Sequence, residues 1–355
     1  MSNHSAAADA ALLAALRTAP KAELHLHLEG TLEPEMAFAL AQRHGVALRW
    51  PDAQALRAAY AFDDLQGFLE LYYAGCDVLR SEDDFFALAW AYFRRAAADG
   101  VVRAEVFVDP QSHTARGVDF AVFMPALARA AQRAHDELGL SVDYILCALR
   151  HLSEDDALAM LEASRPWAAH YIGLGLDSSE RGHPPAKFAR LFARARALGL
   201  RLVAHAGEEG PAAYVAEALD LLGVERIDHG VRALDDTALL RRLARERVPL
   251  TVCPLSNVRL RVYPDMAAHR LPELLRAGVV ATVHSDDPAY FGGYVNANYE
   301  ALFTAQAQLG ADDAYRLLRN GLQASFAPAA QIEDWIARLD AHWQACGYTL
   351  PGPAH

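Results

Sequence analysis

Short runs rich in β-formers recur along the chain at Arg103–Val108, Ser141–Leu149, Tyr171–Leu176, Arg201–Ala206, Arg226–His229, Val248–Cys253 and Val279–His284. Most are preceded by an amphipathic helical stretch. Ala22–Gly30 adds an eighth run ahead of them. Strands alternating with helices pair in parallel through right-handed crossovers, and eight such units can close on themselves. The expected fold is therefore α/β, a (β/α)8 TIM-type barrel with additional helices, with an open doubly wound sheet as the alternative. A chain of 355 residues with 53% apolar content can bury one large core. With no Gly/Ser linker or repeat to divide it, residues 1–355 are read as a single domain.

The formal charge of −12 argues against a nucleic-acid partner or an anionic membrane surface. No stretch approaches the ~18 apolar residues of a membrane span. The apolar run Ala10–Ala15 is short, follows Asp9 and has no basic residue before Arg17. It reads as a short helix rather than a signal peptide. Cys76, Cys147, Cys253 and Cys346 lie far apart and form no Cys-x-x-Cys pair, so they read as buried thiols in a reducing, cytoplasmic setting. Oligomeric state is left open by the sequence.

A barrel of this kind builds its sites at the C-terminal ends of its strands, and polar residues collect there. Asp109 follows the second run, Asp177 the fourth, His205 to Glu208 end the fifth, His229 ends the sixth, and Asp286 and Asp287 follow the eighth. In the first run, Glu-Leu-His-Leu-His-Leu-Glu, strand alternation puts His25 and His27 on one face and Leu24, Leu26 and Leu28 on the other. Their imidazoles then stand roughly 7 Å apart along one wall, within reach of one metal ion. His205 is a candidate third nitrogen ligand. One of the neighbouring acids Asp286 and Asp287 is a candidate oxygen ligand, the other being left for substrate. Glu208 or Glu209 is a candidate proton carrier, and His229 can orient an activated water or simply fill the core. His113, His151, His183 and His269 read as surface or core residues. The aromatic stretch Phe62–Tyr73 suggests a helical excursion that either walls a pocket or packs as core. Three histidines and a carboxylate suit zinc, with iron or manganese as other occupants, and predict hydrolysis rather than redox chemistry.

Competing signatures are absent. The chain has no His-Glu-x-x-His and no Gly-x-x-x-x-Gly-Lys, and Gly173-Leu-Gly175-Leu-Asp-Ser178 lacks the third glycine of a dinucleotide loop. Nor does it contain the His-x-Glu and Pro-Cys-x-x-Cys of cytidine-type deaminases.

Taken in order and spacing, His25-Leu-His27-Leu-Glu-Gly, His205-Ala-Gly-Glu208, Asp228-His229-Gly230 and Ser285-Asp286-Asp287-Pro288 resemble the adenosine/AMP deaminase family of metal-dependent hydrolases, from about Pro20 to the last helix. The resemblance implies one zinc ion held by His25, His27, His205 and Asp286. It further implies that Glu208 is the proton donor to purine N1, that His229 acts on the attacking water, and that Asp287 binds the purine. Adenosine deaminases usually carry Asp where Glu29 stands, near the ribose, and a Gly-Asp-Glu stretch where this chain has Gly175-Leu-Asp177-Ser178-Ser179-Glu180. With Tyr72-Tyr73-Ala-Gly-Cys-Asp77 and Asp109-Pro-Gln-Ser-His113, these departures resemble the adenine deaminase branch. The implied partner is a small-molecule purine base, and the implied reaction is hydrolysis of adenine to hypoxanthine and ammonia. Adenosine or an N6-substituted adenine are the other enzymatic readings, and a purine-binding sensor the non-enzymatic one.

Overall fold

The computed structural model describes residues 2–60, 62 and 65–352, and the side chains of those from Ala10 on. Eight parallel strands lie side by side in chain order: β1 Lys21–Glu23, β2 Val101–Val108, β3 Ser141–Leu149, β4 Gly173–Asp177, β5 Arg201–Ala206, β6 Arg226–His229, β7 Pro249–Val252 and β8 Val280–Val283. Bridging between Leu26 and Asp286 joins the segment after β1 to the segment after β8, so the sheet curls into a (β/α)8 barrel ringed by helices. Every residue of β2 is buried, as expected of a strand covered on both faces. Phe107, Ile145, Cys147 and Val203 fill the barrel interior, while the other apolar faces pack outward under the helices.

The first strand departs from expectation. Regular pairing of the Ala22–Gly30 run stops at Glu23, after a register shift between Lys21 and Ala22. The cause is a side chain: the backbone N–H of Leu24 donates to Nδ1 of His284 at 3.1 Å, where a ladder would supply a carbonyl. Backbone bonding resumes beyond it, with Asp286 N–H to His25 O and His27 N–H to Asp286 O, both 3.0 Å. Leu24, Leu26 and Leu28 are buried in the outer core as the alternation demands.

Local signals fix the surrounding helices. Ser81 and Asp84 form a capping box ahead of Glu82–Ala98, and Ser153 with Asp156 does the same for Glu154–Ser164. Pro34 opens Pro34–His44, and Gly45 closes it with φ 62°. The excursion between β1 and β2 holds the helices Ala53–Ala59 and Leu65–Cys76, which bring Phe68 and Tyr72 over the barrel mouth. Helices Val295–Ala305, Ala311–Gln323 and Ala329–Ala345 follow β8, and Ala311–Gln323 packs on β1 and β8. Among the described residues no helix is long and apolar enough to cross a membrane.

At the N-terminal end of the barrel a buried ion group bridges β2 and β6. Glu105 receives Arg103 Nη2 at 2.9 Å and Arg226 Nη1 at 2.6 Å, and all three residues are at most 2% exposed. Two guanidiniums outweigh the burial of the Glu105 carboxylate and hold its pKa low. Glu105→Gln leaves the buried Arg226 without its close counter-charge, while Arg103 keeps Asp143 at 2.7 Å, at a cost of about 3–5 kcal/mol. The expected outcome is a lower midpoint in chemical denaturation, with most of the loss restored when Glu105 and Arg226 are both replaced by Met.

Candidate active site

All seven residues singled out from the sequence meet at the C-terminal mouth of the barrel. His25 and His27 follow β1, His205 lies in β5 with Glu208 just beyond, His229 ends β6, and Asp286 and Asp287 follow β8. The turns that aim them are unusual. Ser178, His229 and Asp286 have φ of 73°, 64° and 64°, a left-handed backbone costing side-chain-bearing residues roughly 1–3 kcal/mol each. Backbone bonds hold two of them in place, Gly230 N–H to Ala206 O at 3.1 Å and Asp286 N–H to His25 O at 3.0 Å. Gly30 is required beside Asp287, since a Cβ on it would lie 1.9 Å from Asp287 Oδ1.

The donor atoms converge. His27 Nε2 lies 3.2 Å from His205 Nε2 and 3.4 Å from Asp286 Oδ1, and His25 Nε2 is also 3.4 Å from Asp286 Oδ1. Four ligands at zinc-bond lengths in a tetrahedron stand about 3.3 Å apart, so these spacings fit one such cation. The donor atoms of His25, His205, His229 and Asp286 lie within 4.8 Å of one another, and His27 joins that group through His205 and Asp286 rather than as a member of it. The ring of His25 is oriented from behind: its Nδ1 is 3.1 Å from the Thr251 carbonyl. A carbonyl only accepts, so Nδ1 carries the hydrogen and Nε2 keeps its lone pair. That Nε2 is buried with no hydrogen-bond partner, as expected of an atom meant for a metal.

Electrostatics separates the acids. Burial pushes the Asp286 carboxyl up, but the imidazoles of His25, His229 and His27 outweigh it and hold it well below the usual carboxylate range. Glu208 goes the other way: burial, then the charges of Asp286, Glu180 and Glu209, push it well above its ordinary value. Asp287 is likewise pushed well up by burial and then by Asp286. Burial and the neighbouring imidazoles lower His205, and lower His229 to about 3, so both rings are neutral at physiological pH. The mouth thus sets one firmly ionised carboxylate, Asp286, beside two neutral rings, His205 and His229, and two acids, Glu208 and Asp287, kept protonated. His229 Nε2 is 3.5 Å from Glu208 Oε1 and 3.7 Å from Asp286 Oδ2.

Around them is a narrow cavity that opens at the barrel mouth. Its far wall carries Asp109, Asp177 and Ser178, and Leu65, Phe68, Tyr72 and Tyr73 of the helix Leu65–Cys76 roof it. The aromatic excursion therefore packs as core and walls the pocket at once. Glu29 does not face the cavity as its sequence position suggests. Its Oε1 takes His113 Nε2 at 2.7 Å and Asp109 N–H at 3.1 Å, and its Oε2 takes the Tyr72 hydroxyl at 3.4 Å. It is a satisfied buttress behind Tyr72, and the ring of Tyr72 is what the pocket meets.

Several supporting residues carry no local signature. Asp228 accepts from Thr251 Oγ1 at 2.8 Å and lies 3.6 Å from His205 Nδ1, which connects it to two of the histidines. Ser256 Oγ donates to Asp286 Oδ2 at 2.6 Å, and Asn257 Nδ2 meets His229 Nδ1 at 3.3 Å. The Asp228-His229-Gly230 triplet at a strand end was the one available hint for Asp228.

The model of the family described as Adenosine deaminase matches residues 20–342. An adenine deaminase of Cupriavidus taiwanensis is 60% identical to this chain over 98% of each. An adenine deaminase of Trichlorobacter lovleyi is 59% identical over 92% of this chain and 93% of its own. Among solved structures, an adenine deaminase from Arthrobacter aurescens superposes with TM-score 0.90 at 49% identity, over 92% of this chain and 99% of that one. An amidohydrolase from Burkhoderia ambifaria with bound Zn superposes with TM-score 0.86 at 27% identity, over 95% of each.

Glu180 is the anchor of the turn that presents Glu208. Its carboxylate accepts the backbone N–H groups of Gly207, Glu208 and Gly210 at 3.1, 2.9 and 3.0 Å. Glu180→Ala orphans three buried donors, each worth roughly 1–3 kcal/mol where water cannot replace the acceptor. Amide hydrogen exchange at residues 207–210 is expected to accelerate at least tenfold, with little change in the interior strands β2 and β3.

Proposed function

Since the chain belongs to the adenosine deaminase family, we propose that it is a zinc-dependent aminohydrolase, working as one barrel unit, that converts adenine and water to hypoxanthine and ammonia. Two findings carry the choice of substrate. The relatives at about 60% identity over 98% of this chain are named adenine deaminase, and Tyr72, which lines the pocket and bonds to Glu29 and Asp109, in this reading fills space that a sugar would need.

In this reading His25, His27, His205 and Asp286 hold a single zinc ion. Bound there, the metal supplies Lewis acidity that brings the pKa of water towards ~7. The remaining work falls to the chain itself. Glu208, kept protonated by burial and by Asp286, gives its proton to ring nitrogen N1 as oxygen adds at C6. His229, a neutral base beside both Glu208 and Asp286, orients the attacking water. Asp287, also kept protonated, offers an O–H to a purine ring nitrogen. The proton lost by the attacking water passes by way of His229 to the amino nitrogen, the C6–N bond breaks, ammonia leaves, and the remaining hydroxyl hydrogen at C6 returns to Glu208 as the carbonyl forms. The aromatic roof of Phe68 and Tyr72 excludes bulk water from the ring. Unpaired thiols at Cys76, Cys147, Cys253 and Cys346 support a cytoplasmic setting.

An ultraviolet assay against adenine, adenosine, AMP and N6-methyladenine tests the substrate. Adenine is expected to exceed adenosine in kcat/KM by at least about 10²-fold, and the opposite order would defeat the assignment. Glu208→Gln should still contain one zinc per chain by elemental analysis while losing about 10²–10⁴ in kcat. Turnover retained in that variant would remove Glu208 as the proton donor.

A further inference from the structure

The residues proposed for chemistry come from one arc of the barrel, β5, β6, β8 and the segment after β1. Strand order places β2 to β4 on the opposite arc. An adenine whose C6 faces the first arc turns its N3/N9 edge to the second, because those atoms lie across the ring system from C6. That wall is polar rather than apolar. Asp109 ends the β2 side and Asp177 the β4 side, each 2% exposed.

The Asp109 carboxylate is held from behind. Its Oδ2 accepts the Tyr72 hydroxyl at 2.9 Å, and its backbone N–H donates to Glu29 Oε1 at 3.1 Å. Asp109 lines the cavity, and its Oδ1 is buried with no N–H or hydroxyl placed on it, its neighbour being the carboxyl of Asp177. A buried acceptor left bare has lost its hydration without return, so a donor belonging to the ligand is expected opposite it. The imidazole ring of a free purine carries one N–H, at N9 in the common tautomer, whereas a nucleoside carries a carbon there. Resting on the adenine reading above, we infer that Asp109 Oδ1 accepts the imidazole-ring N–H of the free base, so that Asp109 is the residue that distinguishes base from nucleoside by hydrogen bonding. Asp177 also has bare buried oxygens, but its Oδ2 faces the ring of His27 at 3.4 Å, on the side of the proposed chemistry, whereas Asp109 is tied back to Tyr72 and Glu29. Steric exclusion by Tyr72 and recognition by Asp109 then act on the same edge, one against the sugar and one for the hydrogen it replaces.

The test compares adenine with 7-aminothiazolo[5,4-d]pyrimidine, which keeps the amine and the N7-type nitrogen but has sulfur in place of N9–H. Wild-type holoenzyme is expected to prefer adenine by about 10²-fold or more in kcat/KM, as sites built around a substrate N–H do. Asp109→Ala is expected to raise KM for adenine and to narrow that preference to less than tenfold. The change in ratio cancels the intrinsic reactivities of the two rings. A wild-type preference under tenfold overturns the proposal, as does an Asp109→Ala variant that weakens both substrates equally, which is the signature of a merely structural role. Wild-type failure on adenine itself would defeat the adenine reading first, and the two failures are separated by the first measurement.

Discussion

The structure depends on the seam where the barrel closes. Three residues of β1 make a weak edge, and what joins it to the end of β8 is a short exchange of backbone bonds between His25, His27 and Asp286, flanked by His284 and by Glu23 on Ser285. The same residues carry the side chains that converge on the candidate cation site. Sheet closure and site assembly are therefore one event: any shift in register at this seam moves His25, His27 and Asp286 together. Distances near 3.3 Å between donor atoms are maintained because the backbone that carries them is also the ladder.

The two ends of the barrel treat buried charge in opposite ways. At the N-terminal end Glu105 is matched by Arg103 and Arg226, so the charges are paired and the local effect is rigidity. At the mouth Glu208 and Asp287 crowd Asp286 without such cations, and burial with that neighbouring charge pushes both of them to keep their protons. Asp286, ringed by imidazoles, is held ionised. That contrast is what lets neighbouring residues of identical chemistry, Asp286 and Asp287, take different parts. The left-handed turns at His229 and Asp286 aim those side chains inward at a cost in backbone strain.

Much of this was legible in the residues. Alternating runs led to the eight strands, and the rule that barrel sites gather at strand ends picked out Asp109, Asp177, His205, His229 and Asp286 before any coordinates. What failed was whatever depended on a distant side chain. The end of β1 was missed because the ladder is interrupted by His284, 260 positions away. Glu29 stands where adenosine deaminases carry an Asp near the ribose and its own role was left open, and His113, left as surface or core, proves to be core; their mutual contact spans 84 positions and has no local mark. Glu180 looks like any loop acid until three amides are seen pointing at it. Periodicity reports which face a residue takes, while the partner it meets there is fixed only by closure.

The seam has a consequence for synthesis. A nascent chain cannot join its first strand to its last until residue 286 has cleared the ribosome. Until then a curved, incomplete sheet of hydrophobic strands displays two unpaired margins to the cytosol. The three-residue length of β1 limits that exposure on one side, leaving little template for a stray strand to join while the remainder of the polypeptide emerges.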